Sequence, residues 1–159
     1  MSRDEIIATL RATPDAVQSI CAQLSDDQLR QRPIEGSGEA GWSLIELICH
    51  LRDSAEEDGT RIRRLVEEDN PTLVPFDQEE WARDRNYQGD DIRKALIAMR
   101  AFVSGLAHQL ENLSEEQWAR GGNHPERGAV SVLSIATQTA EHGRDHVEQM
   151  REVRQGSRL

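Results

Sequence analysis

Toward the C-terminal end of the 159-residue chain, the stretch AEHGRDHVEQM, Ala140 to Met150, places His142 and His146 four residues apart. On a helix two such imidazoles lie about 40° apart around the axis and about 6 Å along it, so both can reach one ion at the roughly 2.0–2.1 Å of an imidazole–metal bond. The inward heptad stripe of this segment reads Val132, Ile135, Thr139, His142, His146, Gln149 and Val153. Its middle turns are polar where a packed core would carry Leu or Val, so something polar must occupy that part of the interior. The spacing leaves two alternatives open: two ligands of a metal, or core histidines satisfied by hydrogen bonds.

Two ligands do not hold a metal tightly, and the candidates for a third are His50, His108, His124 and inner carboxylates. His108 lies about 160° from Ile92 on the helical wheel, opposite the apolar stripe of its helix, and is expected in solvent. His50 sits on the shoulder of an apolar face, with Ser54, Glu57 and Arg61 on the same flank. Periodicity permits it to face a neighbouring helix without demanding it. His124, in the loop GGNHPERGA, precedes a proline and suits a turn. Cys49 adjoins His50, but helical neighbours point about 100° apart, so adjacency makes no catalytic dyad. Cys21 and Cys49 are too few for a disulfide framework and are expected as buried free thiols.

The elements that must position these side chains are helices, for helical periodicity dominates and strand-like alternation is nearly absent. Ile7, Leu10, Val17, Cys21 and Leu24 mark a first helix, expected to kink at TPD, where Thr13 can cap and Pro14 can restart it. The second, SLIELICHLRDSAEEDGTRIRRLVEE, opens with a capping box, Ser43 and Glu46, and carries Leu44, Leu47, Ile48, Leu51, Ala55, Ile62 and Leu65 on one face. After a proline-punctuated connection, Ile92, Ala95, Leu96, Met99, Val103, Leu106, Leu110 and Leu113 define a third, and a fourth runs from about Ala129 to Val153. LSDDQLRQR after the first helix is echoed by LSEEQWARG after the third, each with a Ser-to-Gln capping box at Ser25 and Ser114. The expected architecture is therefore all-α: one domain over residues 1–159, a four-helix bundle with short capped helices in its connections.

With 30% charged residues and a formal net charge of −10, the chain lacks the basic footprint that phosphate backbones and anionic membranes require. The opening MSRDEIIATL has no apolar signal core, and no run approaches the roughly 18 apolar residues of a membrane span. A cytoplasmic protein without nucleic-acid or membrane partners is expected.

The segments GWSLIELICHLRDS, NPTLVPFDQEEW and NHPERGAVSVLSIATQTAEHGRDHVEQM together resemble the DinB-like superfamily and, within it, the YfiT-like group provisionally described as metal-dependent hydrolases. The resemblance runs over nearly the whole chain, through Trp42, Ser43, His50 and Asp53, then Phe76, Asp77 and Trp81, then His124, Pro125, Glu126 and Gly128, and finally His142 and His146. It implies a four-helix bundle with one divalent metal on His50, His142 and His146. Nickel or zinc is the usual ion in relatives, with iron or manganese as alternatives. It also implies a tendency to form homodimers, for which the connection from Phe76 to Trp81 is suited.

Three neutral imidazoles leave a divalent ion with open positions, the arrangement of a reactive metal and unlike the closed shell of a structural zinc. In a hydrolase the ion activates a bound water, which Asp53 or Glu57 could orient or deprotonate if either is more than a solvated or supporting carboxylate. In a thiol-dependent S-transferase, a function found among relatives, the open position binds a low-molecular-weight thiol as thiolate. In a non-catalytic metal-binding module, a fourth protein ligand such as Asp53, Glu57 or Gln149 closes the site. A small-molecule substrate is expected in either enzyme. Arg52, Arg61 and Arg144 are candidates to bind a carboxylate, although arginines among many glutamates usually form ion pairs. Trp42 and Trp81 are expected as packing anchors.

Overall fold

The computed structural model describes residues 1–156. Four long helices, α1 (Arg3–Cys21), α3 (Leu44–Glu67), α5 (Ile92–Glu111) and α7 (Val132–Gly156), form the bundle. The connections carry α2 (Asp26–Arg30), α4 (Gln78–Asp84), α6 (Glu115–Trp118) and two short 3-10 turns, Gly38–Gly41 and Tyr87–Gly89. The capping boxes read from the sequence are present at Ser25/Gln28, Ser43/Glu46 and Ser114/Gln117, and a further one at Ser2/Glu5 opens α1. Each satisfies two backbone donors that a helix start leaves bare, which fixes where the helix begins.

The apolar stripes meet as their spacing requires. Leu44, Leu47, Ile48, Ile62 and Leu65 of α3 are fully buried, and Met99, Val103, Leu106 and Leu110 of α5 nearly so. On α7 a second buried line, Ala136, Ala140, Gly143, Val147 and Met150, runs beside the heptad stripe, of which Val132, Ile135, His146 and Val153 are buried too. Ala136 and Ala140 are fully buried, Gly143 borders a cavity in which a Cβ would meet nothing within 4 Å, and α1 and α3 both pack on α7. Thr139, His142 and Gln149 are left half-buried on the flank, facing α3 and the loop before it.

Three local expectations change. Helix α1 runs unbroken through Pro14, and the Thr13 hydroxyl donates to the Thr9 carbonyl at 2.9 Å, so Thr13 does not cap a new helix. Residues 121–131 are not a plain loop: β1 (Gly121–His124) and β2 (Gly128–Ser131) pair as an antiparallel hairpin. Four-residue strands give too few alternations to register as periodicity. Because β2 takes residues 128–131, the last long helix begins at Val132 and continues to Gly156.

The hairpin is tied to the end of α3. Asn123 donates its backbone N–H to the Pro71 carbonyl at 2.9 Å and accepts from the Leu73 N–H at 2.8 Å. Buried Gly122 makes this approach possible, since a Cβ there would lie 2.5 Å from the Pro71 oxygen and 2.7 Å from a Leu65 methyl. Among the described residues no helix is long and apolar enough to cross a membrane. Gly122→Ala is expected to destabilise the protein by about 1–3 kcal/mol, the range typical of overpacking. Urea unfolding measures it, and an unchanged midpoint would show that the strand has room to move.

Candidate metal centre

His50 lies on the second turn of α3, where the Ser43 cap fixes the helix start and the Trp42 ring packs 5.2 Å from the imidazole. Across from it, α7 presents His142 and His146. His50 Nε2 stands 3.2 Å from His142 Nε2, and His146 Nε2 stands 2.8 Å from the same atom. The three histidines each offer a nitrogen within 4.8 Å of the others. His50 and His146 are each only 2% exposed, and His142 is half-buried.

The orientation of His146 follows from its neighbour. Gln149 donates its side-chain N–H to the Glu39 carbonyl at 2.8 Å, which turns the amide oxygen toward His146 Nδ1, 3.0 Å away. Only a protonated Nδ1 satisfies that oxygen, so Nε2 carries the lone pair. This bare nitrogen faces His142 Nε2 at 2.8 Å and the Glu39 carboxylate at 3.1 Å. A cation among these atoms turns a cluster of electron pairs into ligands, and imidazole donors select a transition metal over Mg²⁺ or Ca²⁺. The residues present therefore fit the ion that the sequence resemblance implies.

Burial, and then the neighbouring His146 and His142, hold His50 well below its ordinary pKa. Burial, followed by His142, brings His146 down to about 4. Both are thus held neutral, the form that binds metal.

His50 and His142 line a cavity of about 280 Å³, bordered also by Asp58, Arg61, Phe76 and Arg127. Apolar Leu10, Leu51, Val103 and Ile135 contribute to the same walls. Asp58 was absent from the residues singled out by sequence, although it continues the line His50, Ser54, Asp58 at helical spacing. Its carboxylate accepts from Thr139 at 2.8 Å and from Arg61 at 3.3 Å, and burial raises its pKa despite both bonds. Glu39 was also missed. It lies in the Gly/Ser-rich stretch before α3, where no periodicity points to it.

Asp53 and Glu57 are not brought to the histidines in this way. Asp53 accepts from Arg52 at 2.7 Å, Arg85 at 3.0 Å and Tyr87 at 2.5 Å, and these bonds outweigh burial to hold its carboxyl below the usual range. It braces α3 against the Tyr87–Gly89 turn. Glu57 lies 3.8 Å from Arg61 Nε, and neither carboxylate borders the cavity. Arg52 joins Asp53 to Asp90, and exposed Arg144 lies 4.0 Å from Asp145. His124 Nδ1 accepts the backbone N–H groups of Glu126 and Arg127, folding the hairpin turn beside the cavity, while His108 is exposed. Trp81 stacks on Phe76 with centroids 4.2 Å apart and carries Arg85 on its face. Cys21 and Cys49 are buried and free, with burial pushing their thiols up to about 11 and about 12.

Comparison with known proteins supplies the family and the fold. A protein of Geobacillus thermodenitrificans that carries the provisional name metal-dependent hydrolase is 29% identical over 153 residues, covering 94% of this chain and 83% of its own. YfiT of Bacillus subtilis, named in the same way, is 23% identical over 84% of this chain and 73% of its own. The solved YfiT structure, described as a four-helix bundle of unusual topology, superposes with a TM-score of 0.84 at 21% identity, over 96% of this chain and 87% of that one. A mycothiol-dependent maleylpyruvate isomerase shares the fold at a TM-score of 0.73 and 12% identity, over 94% of this chain and 61% of that one. The family model of the DinB superfamily matches residues 9–150, and the chain belongs to that superfamily.

Proposed function

We propose that this protein is a metal-dependent hydrolase that holds one divalent transition ion, nickel or zinc before iron or manganese, on His50, His142 and His146. The observation that carries this reading is the approach of three histidine nitrogens within 4.8 Å at the wall of a cavity large enough for a small substrate. When bound, such an ion lowers the pKa of a coordinated water toward about 7 and polarises the bond under attack. The chain's own groups do the rest. Gln149 keeps the Nδ1 proton of His146 in place, and Ser54, 3.3 Å from His50 Nδ1, steadies the other buried ring. Leu51, Val103 and Ile135 give the cavity apolar walls, while Asp58 and Arg61 offer an acceptor and a donor to a polar substrate. The names of the relatives support hydrolysis as the reaction class.

A thiol-dependent transferase is the second reading, supported by the fold shared with the mycothiol-dependent isomerase. The chain's own cysteines are buried with raised pKa values, so a nucleophilic thiol would have to enter as a small molecule. Parallel assays with activated esters or amides, and with thiol plus electrophile, separate the two. Turnover that strictly requires the thiol would replace hydrolase by transferase.

Metal analysis of the purified protein is expected to find about one transition ion per chain, the capacity of a single three-imidazole site. The His142→Ala, His146→Ala double variant should lose it, and full retention would refute the site. His50→Ala should weaken binding by at least about tenfold, as loss of a ligand does, whereas His108→Ala should not. Equal effects would contradict the assignment of His50.

Proton linkage gives a further expectation. Above the ordinary histidine pKa of about 6.5, His50 and His146 are neutral in both folded and unfolded chains. Below it the unfolded chain takes up protons that the folded chain refuses, so the metal-free protein loses stability as the pH falls toward 4. Because burial already holds His50 and His146 neutral, metal binding between pH 5 and 6 should displace clearly fewer than three protons per ion. Calorimetry in buffers of different ionisation enthalpy counts the protons, and a release near three would contradict the burial-driven shifts.

A further inference from the structure

The 3-10 turn ahead of α3 brings a fourth group to the histidines. Glu39 Oε1 lies 3.1 Å from His146 Nε2, the nitrogen that carries the lone pair. Its second carboxylate oxygen accepts from the Gln78 amide, and its backbone carbonyl accepts from Gln149. Among the described residues no Arg or Lys forms an ion pair with Glu39. The preceding Gly38 has φ +56°, and a Cβ there would run into the Glu79 carboxylate, so the turn is specialised for a glycine just before this side chain.

These contacts make an electrostatic puzzle in the metal-free state. A carboxylate oxygen and an imidazole lone pair repel at this distance. The Gln78 amide nonetheless holds the carboxylate in place, and Gln149 holds its backbone. A divalent ion shared by Glu39 and the imidazoles removes the conflict. It also explains why an acid without a cationic partner is kept here: three neutral ligands leave the full charge of the ion uncompensated, and one carboxylate halves it.

We propose that Glu39 is the anionic fourth ligand of the centre, binding the same ion as His50, His142 and His146. Neither Glu39 nor His146 borders the cavity, whereas His50 and His142 do, so this ligand approaches away from the substrate side and leaves that side open. The centre therefore combines tighter metal retention with room for a reacting group. This inference rests on the metal reading of the three histidines.

Titration of wild type, Glu39→Gln and Glu39→Asp with Ni²⁺ and with Zn²⁺ against a competing chelator tests it, with thermal melts of each protein in excess chelator. Glu39→Gln keeps the size and hydrogen-bonding capacity of the side chain but loses the charge. Its affinity is expected to fall about 10- to 100-fold. Its metal-free melting temperature should equal or exceed that of wild type, because the repulsion is gone, and Glu39→Asp should retain more affinity than Glu39→Gln. A Glu39→Gln variant with unchanged affinity would overturn the proposal, as would one that melts lower without metal yet binds as wild type does, the signature of a merely structural residue. Wild-type protein that binds neither ion would instead bring down the metal reading itself.

Discussion

The side-chain amide of Gln149 can satisfy both of its neighbours in one orientation only, and the centre depends on that restriction. With its N–H given to the Glu39 carbonyl and its oxygen to His146 Nδ1, the amide fixes the imidazole tautomer and aims a lone pair into the cluster. A buried polar group left unsatisfied costs about 1–3 kcal/mol, so the alternative orientation, which would set the amide oxygen against the Glu39 carbonyl oxygen, is disfavoured. The same residue links the long C-terminal helix to the turn before α3. One side chain thus sets both the tautomer of His146 and the relative placement of two segments.

Around this point the bundle is built for rigidity. The small residues Ala136, Ala140 and Gly143 lie buried in α7 alongside its histidines, and Ala55 lies buried in α3. The Ser43/Glu46 capping box fixes the start of α3 one turn before its histidine region, and the Ser43 hydroxyl also reaches Gln88 at 2.6 Å. Asp53, held by Arg52, Arg85 and Tyr87, anchors the opposite flank of the same helix. These polar groups contribute by satisfying one another.

The sequence made much of this legible because helices write a long, repetitive signal. The four stripes, the capping boxes and the polar interruption at His142 and His146 all extend over several turns, and their spacing survives into the structure. Other features were illegible for physical reasons. The hairpin at 121–131 has strands of four residues, too short for alternation to stand out, and its position depends on the contact of Gly122 with distant Pro71. Glu39 sits in an irregular turn whose approach to α7 is a tertiary fact. Asp58 could have been found by continuing the His50–Ser54 spacing by one more turn. Pro14 shows the reverse case: a strong local breaker is tolerated within α1, where Thr13 and Pro14 are both buried against the bundle. Asp53 matched a family motif, yet its carboxylate is committed to two arginines and a tyrosine.

The central claim is that the folded chain directs three imidazole nitrogens at a single ion. X-ray absorption spectroscopy of protein reconstituted with one equivalent of Ni²⁺ or Zn²⁺ addresses it most directly, because multiple scattering from imidazole rings identifies histidine ligands without reference to activity. The account predicts a nitrogen/oxygen shell at roughly 2.0–2.1 Å with the scattering of about three imidazoles. A shell of oxygen donors alone, or one with no imidazole scattering, would contradict it.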